Sequence, residues 1–338
     1  MTEVVVITGG TAGVGRATAR RFARDGSAIA VLARGQDGLA ATAREIEELG
    51  GRALAIEVDV ARADEVAAAA DRVERELGPI DIWINNAMTT VFGRVDATTA
   101  EEYERVTDVC YHGYVWGTRA ALAKMRPRGR GTIVQVGSAL AYRGIPLQAA
   151  YCGAKHAIRG FTDALRCELL HDGVDIHLSM VQLPAVNTPQ FTWCENRMGC
   201  MPQPVPPIYQ PEIAADAIHF AAYHRRREIF LGAVTVKAIL GGALVPGVAD
   251  HVLATEGFEG QCAPDGTGAR AATTNLFAPV PGDHGAHGAF DARARRRDPI
   301  ATLTTWLGAA GVRTLAGGAL AAASLGGAWL LRRALAAR

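Results

Sequence analysis

The chain predicts an α/β fold with a doubly wound parallel sheet, and three observations predict it. Short runs rich in Val and Ile recur through residues 1–245, apolar at nearly every position. Runs of that kind are strands buried on both faces. Longer stretches with helical patterning separate them, and turn residues bound them. Strand–helix–strand repetition requires right-handed crossovers and places helices on both sides of an open sheet.

The first strand is expected at 4–7 and ends at Thr8, followed by Gly9-Gly10-Thr11-Ala12-Gly13-Val14-Gly15. The order T-G-x-x-x-G-x-G lets the backbone turn tightly and approach a pyrophosphate at the N-terminus of the helix over 16–24. A glycine-rich turn in that place makes the sheet Rossmann-type, with Thr8, Gly9, Thr11, Gly13, Val14 and Gly15 as cofactor contacts. The second strand, 28–32, leads into Ala33 and Arg34. A carboxylate there would bind a ribose 2′-hydroxyl, whereas the guanidinium of Arg34 suits a 2′-phosphate. The expected cofactor is therefore NADP rather than NAD.

Helical patterns at 38–49 and 65–77 flank a strand at 54–58, which ends on Asp59-Val60; a further strand over 80–84 ends on Asn85-Asn86-Ala87. After the strand at 133–136 comes Ser138, thirteen residues before Tyr151. Tyr151 and Lys155 stand four residues apart, on one face of a helix. An ordinary phenol is a poor acid or base at neutral pH, and a neighbouring ammonium is expected to lower its pKa. Tyr151 could then exchange a proton with a carbonyl or carbinol oxygen, with Ser138 bonded to the same oxygen.

With these residues in place, residues 1–245 resemble the short-chain dehydrogenase/reductase family. The resemblance implies an NADP-dependent oxidoreductase that moves hydride between the nicotinamide and a carbonyl or alcohol substrate. It assigns catalysis to Ser138, Tyr151 and Lys155. It puts Asp59 and Val60 beside the adenine, Asn86 and Ala87 near the cofactor, Tyr151 and Lys155 at the nicotinamide ribose, and Thr188 at the nicotinamide end. It also implies a homodimer or homotetramer. Three positions depart from the family pattern: Met88 stands where Asn-Asn-Ala is often followed by glycine, Cys110 where asparagine completes a tetrad, and Ala185 after Pro184 where glycine is usual. The thiol is the weaker hydrogen-bond partner, which leaves a nucleotide-binding sensor or scaffold with little turnover as the alternative. Cys110 itself reads as a buried, inert thiol.

After the last expected strand, at 176–181, residues 189–209 carry Phe191, Trp193, Met198 and Met201. The segment suits either a cover over an apolar substrate or packing beneath the C-terminal part of the chain. Residues 246–298 are rich in Gly and Pro and read as an extension that wraps the core or stays mobile. Its Leu276, Phe277 and Phe290 point to docking, and His284 and His287 read as part of a loop rather than a metal site. Residues 299–338 form an Ala/Gly/Leu-rich segment predicted to end the chain in an apolar helix. Its uncharged stretch at 314–331 would span about 27 Å as a helix, at the lower limit for a bilayer core. Membrane association through 303–331 and a soluble helix packed on protein both fit.

The net charge of +1 removes a strongly basic nucleic-acid binder from consideration. Six cysteines without C-x-x-C pairs read as reduced thiols of a cytoplasmic protein, one that the C-terminal helix could attach to a membrane.

Overall fold

The computed structural model describes residues 2–263 and 273–298. From the N-terminus the chain forms β1 (Val4–Thr8), α1 (Gly13–Ala23), β2 (Ala28–Ala33), α2 (Gln36–Glu48), β3 (Arg52–Glu57) and α3 (Ala63–Glu76). It continues through β4 (Ile82–Asn85), β5 (Val91–Phe92), α4 (Ala100–Thr107), a π-helical turn at Asp108–His112, α5 (Gly113–Met125), β6 (Arg130–Ser138) and α6 (Ala149–His171). Then come β7 (Asp175–Leu183), the short α7 (Gln190–Trp193), β8 (Glu195–Asn196), α8 (Pro211–Tyr223), β9 (Glu228–Phe230), α9 (Ala233–Leu244) and α10 (Pro246–Glu259).

Seven strands pair in parallel in the order β3-β2-β1-β4-β6-β7-β9. All six expected apolar runs are strands of this sheet. Alternate residues of each strand face opposite layers. Val4, Val6 and Trp83 pack with Val66, Val73 and Leu165 on one side. Val5, Ile7, Ile82 and Ile84 pack with Phe22, Leu39 and Ile218 on the other. Each large aliphatic side chain so buried contributes roughly 1.5–3 kcal/mol. The strand order reverses between β1 and β4, and a crevice opens there beyond the strand C-termini, where open α/β sheets take ligands.

Three features differ from the sequence expectation. A seventh strand, β9, extends the sheet; it is only three residues long and follows three arginines, so no apolar run announced it. Residues 246–259 are helical, opened by Pro246 at the first position, and their apolar side chains form no stripe that a periodicity search would find. Cys200 and Cys262 are paired in a disulfide, so the six cysteines are not all free thiols; Cys110, Cys152, Cys167 and Cys194 are. Sequence spacing could not show this pairing because the two residues lie 62 apart and meet only in the fold.

The segment after residue 273 docks on the core. Leu276 and Phe290 are buried, whereas Phe277 is exposed. Phe290 joins Phe92, Phe191, Cys194 and Ile208 in a satellite cluster beside the tiny β5–β8 sheet. Among the described residues, no helix is long and apolar enough to cross a membrane. Residues 303–331, where membrane association was expected, lie outside the described residues.

Candidate active site

The crevice at the switch point is a cavity of about 770 Å³. Its floor is the turn between β1 and α1. Gly9 has a φ of +65°, and a Cβ on it would lie 2.7 Å from the Cα of Ala87. A Cβ on Gly15 would lie 2.2 Å from the carbonyl oxygen of Gly9. Both positions therefore require glycine for the turn to fold back against β4 and α1. Of the residues expected at the cofactor, Gly9, Thr11, Gly13, Val14, Arg34, Asp59, Val60, Asn86, Ala87 and Thr188 line the cavity, as do Ser138, Tyr151 and Lys155.

Thr8 and Gly15 stand behind the wall rather than on it. The Thr8 hydroxyl accepts from the backbone N–H of Asn86 at 2.9 Å and of Ala87 at 3.1 Å. Asn86 in turn donates its amide to the carbonyls of Thr8 and Gly9, at 3.0 and 3.1 Å. These bonds splice the ends of β1 and β4 into one rigid rim. Asn85 is fully buried and serves packing, donating to Thr118 Oγ1 and Gln135 Oε1 at 3.0 Å each.

At the adenosine end the carboxylate of Asp59 accepts from Arg105 Nη2 at 2.7 Å and from the Ala61 amide at 3.1 Å. Burial works to raise its pKa, but the Arg105 bond and charge prevail and hold the carboxyl below its ordinary value. The Arg34 guanidinium faces Asp59 and donates to the backbone carbonyls of Asn275, Leu276 (3.4 Å) and Phe277 (3.0 Å). Arg105 was not singled out from sequence. It sits in an ordinary amphipathic helix, α4, and only the fold brings it to Asp59.

At the other end, Ser138 closes β6, with its amide donating to Gln182 Oε1 at 2.8 Å and its Oγ accepting from the Leu140 amide at 3.1 Å. Lys155 is 2 % exposed. Its Nζ lies 5.4 Å from the Tyr151 ring centroid and donates to the Val136 carbonyl at 2.8 Å and to Tyr114 Oη at 3.0 Å. Tyr114 Oη donates onward to the same Val136 carbonyl at 2.9 Å. Burial pushes the Lys155 ammonium down to about 8, with Cys110 opposing the shift.

The Tyr151 phenol departs from expectation. Desolvation, and then the nearby Cys110 thiol, push its pKa well above the usual phenol range; a hydrogen bond with Ser138 works the other way. The expected lowering by Lys155 is not seen, because Lys155 points its donors at Tyr114 and Val136 instead. Cys110, inside the π-helical turn, is fully buried: its Sγ accepts from the Thr89 amide at 3.3 Å and donates to the Thr89 carbonyl at 3.1 Å. Burial raises its pKa, which fits the inert thiol expected. Tyr114, four residues further on, is the polar group that meets Lys155. Nothing in its spacing marked it out.

The apolar part of the cavity is formed by Leu140, Ile145, Pro204, Val205, Val248 and Val252, with Arg143 and Lys237 among them. In the segment after β7, Phe191 packs edge-on against Phe290 beneath the docked C-terminal part, and Phe191, Trp193 and Gln203 to Pro206 line the cavity.

The pattern of the family described as short chain dehydrogenase matches residues 3–196, more than half of the chain. The chain belongs to that family. It is 32% identical over 253 residues to the uncharacterized oxidoreductase YxnA of Bacillus subtilis (strain 168), covering 74% of this chain and 71% of that one. It is 35% identical over 167 residues to the 17-beta-hydroxysteroid dehydrogenase 13 of Homo sapiens, covering 49% of this chain and 56% of the relative. Among solved structures, an alcohol dehydrogenase from the archaeon Thermococcus sibiricus, complexed with 5-hydroxy-NADP, superposes with a TM-score of 0.59. Identity there is 27%, over 70% of this chain and 98% of the other. The short-chain dehydrogenase family accounts for the dinucleotide-type cavity and for an oxidoreductase assignment.

Proposed function

We propose that this short-chain dehydrogenase is an NADP(H)-dependent oxidoreductase acting on a carbonyl or alcohol of an apolar substrate. The observation that carries the reading is convergence: the glycine turn, Arg34, Ser138, Tyr151 and Lys155 all open onto one cavity. The residues present fit a dinucleotide, since the tightly folded glycine turn opens a helix at the cavity floor, and Thr11, Val14, Asp59 and Thr188 line the same cavity. When bound, the dinucleotide supplies or accepts the hydride.

The chain's own groups handle the oxygen. Tyr151 gives its phenolic proton to the substrate oxygen as a carbonyl is reduced, and takes one back in the reverse direction. The Ser138 hydroxyl orients that oxygen beside the phenol. Lys155, held by Tyr114 and Val136, keeps a positive charge at neutral pH close to the phenol it must support as the proton leaves. Arg34, with no carboxylate at Ala33, favours a 2′-phosphate, and the Thermococcus relative was solved with an NADP derivative. The apolar end of the cavity, and a relative named for hydroxysteroids, support an apolar substrate.

The test is NADPH and NADH consumption against aldehydes and ketones of increasing apolar size, with Tyr151→Phe alongside. Faster turnover with NADPH, rising with apolar size and lost in the variant, is the expected result. Equal activity of wild type and variant would reject Tyr151 as the acid. Binding of NADPH with no reduction of any compound would favour a sensor instead, a reading that the buried, thiol-flanked phenol supports.

A further inference from the structure

Residues 275–288 cross the cavity from the Arg34–Asp59 end to Thr188, touching Trp193 of α7 on the way: the Asn275 amide donates to its carbonyl at 3.0 Å, and His284 packs edge-on on its ring. Leu276 is 1 % exposed and packs into the core beside Val60 and Val109. Its carbonyl accepts from Arg105 Nε at 2.9 Å and from Arg34. Further along, the amide of Gly282 donates to Asp37 at 2.8 Å, and Asp283 pairs with the buried Arg16 at 3.2 Å. The carbonyl of Gly285 then accepts from the backbone N–H of Gly13 in the glycine turn, at 3.1 Å. The segment closes on Thr188, where a Cβ on Gly288 would lie 2.4 Å from the carbonyl oxygen. Asn275, Pro279, Val280, Gly282 and His284 all line the cavity, which keeps its volume of about 770 Å³ beneath them.

We propose that residues 275–288 are a third wall of the dinucleotide site, a roof under which the cofactor is held and which must lift for it to enter or leave. This deepens the dinucleotide reading above and rests on it. The roof leaves the groove open beneath it, so it covers the site rather than filling it. Its fastenings are the groups that define the groove: the turn amide of Gly13, the guanidinium of Arg34 and the Arg105–Asp59 pair. A ligand enclosed in this way is shielded from water, which strengthens its polar contacts. It departs no faster than the local opening of the segment allows.

The experiment uses the full chain with two roof variants, Leu276→Asp and Gly288→Val. NADPH bound to each protein is chased with excess NADP, its fluorescence followed by stopped flow, and amide hydrogen exchange is measured with and without NADPH. The roof predicts dissociation at least tenfold faster in both variants. It also predicts that NADPH slows exchange at the roof amides of Gly282, Gly285 and Gly288 of the wild type at least tenfold. Dissociation within twofold of wild type, in variants whose roof amides exchange freely, would overturn it. So would NADPH binding by the variants but not by the wild type, which would make the segment a plug. No dinucleotide binding by any of the three folded proteins would reject the dinucleotide site itself, and the roof with it. If both variants fail to fold, the wild-type exchange decides: slowing at those amides supports the roof, and no change overturns it.

Discussion

The two sides of the cleft are built in different ways. The floor comes from the ends of β1, β2, β3, β4 and β6 and the first turns of α6. The cover comes from segments far away in sequence: the stretch after β7, α9, α10 and residues 273–298. The floor is specified by short spacings such as Tyr151 to Lys155, which a helix turns into proximity. The cover is specified by docking contacts such as Leu276 on the core and Phe290 on Phe191, which exist only once the sheet is folded. The chemistry is thus encoded locally, and the access to it is encoded at long range.

The sharpest way to break this division is to remove the acid proposed for the floor without touching the cover. Tyr151→Phe is expected to lower kcat/KM by roughly 10²–10⁴-fold, with NADPH dissociation and roof hydrogen exchange unchanged; altered exchange would show that floor and cover are not separate. On the cover, Cys262→Ser opens a loop closed across 62 residues. The chain-entropy model puts that bond at about 4 kcal/mol, so a clear fall in Tm is expected, matched by adding reductant to wild type and absent when reductant is added to the variant. Titration of the unfolded, unreduced wild type should find four thiols, those of Cys110, Cys152, Cys167 and Cys194. Six would show that the pairing is not made.

Arg34 belongs to both sides, so its loss tests how they are joined. Arg34→Ala should reduce the preference for NADPH over NADH about tenfold, or about 1.4 kcal/mol, measured as the ratio of the two dissociation constants. A fall in affinity equal for both dinucleotides would assign the guanidinium to the roof alone. The smallest effect is expected deep in the floor. Tyr114→Phe removes one hydrogen bond from the Lys155 ammonium, about 1 kcal/mol. That bond favours the charged form, so its loss lowers the Lys155 pKa further below about 8. Activity that needs the ammonium is fully present below that pKa and lost above it. The alkaline limb of the pH–rate profile should therefore move to lower pH, with kcat several-fold down.

Much of the floor was legible because strand ends and turn chemistry are short-range events. The apolar runs located six strands, and Thr8 through Gly15 located the crevice. Tyr114 and Arg105 were not legible, since each is an unremarkable helical residue until β6 and Asp59 come alongside. The expected activation of Tyr151 by Lys155 failed for a related reason: spacing shows that two groups share a helix face, but not which third group one of them will choose. Helix α10 escaped because its apolar residues make no stripe, and β9 because three residues after an arginine run carry no pattern. The disulfide and the docked extension were invisible because loop closure leaves no local trace.

One contact at the edge of the molecule ties the docked segment to a wall of the cavity. The carboxylate of Asp298 accepts from the backbone N–H of Gly232, at the foot of α9. This moors the end of the docked segment next to the helix whose Val234, Lys237 and Ala238 line the cavity. Asp298, the last described residue, is therefore fixed beside that wall of the cavity. A shift at Gly232 would therefore move the docked segment and that cavity wall together.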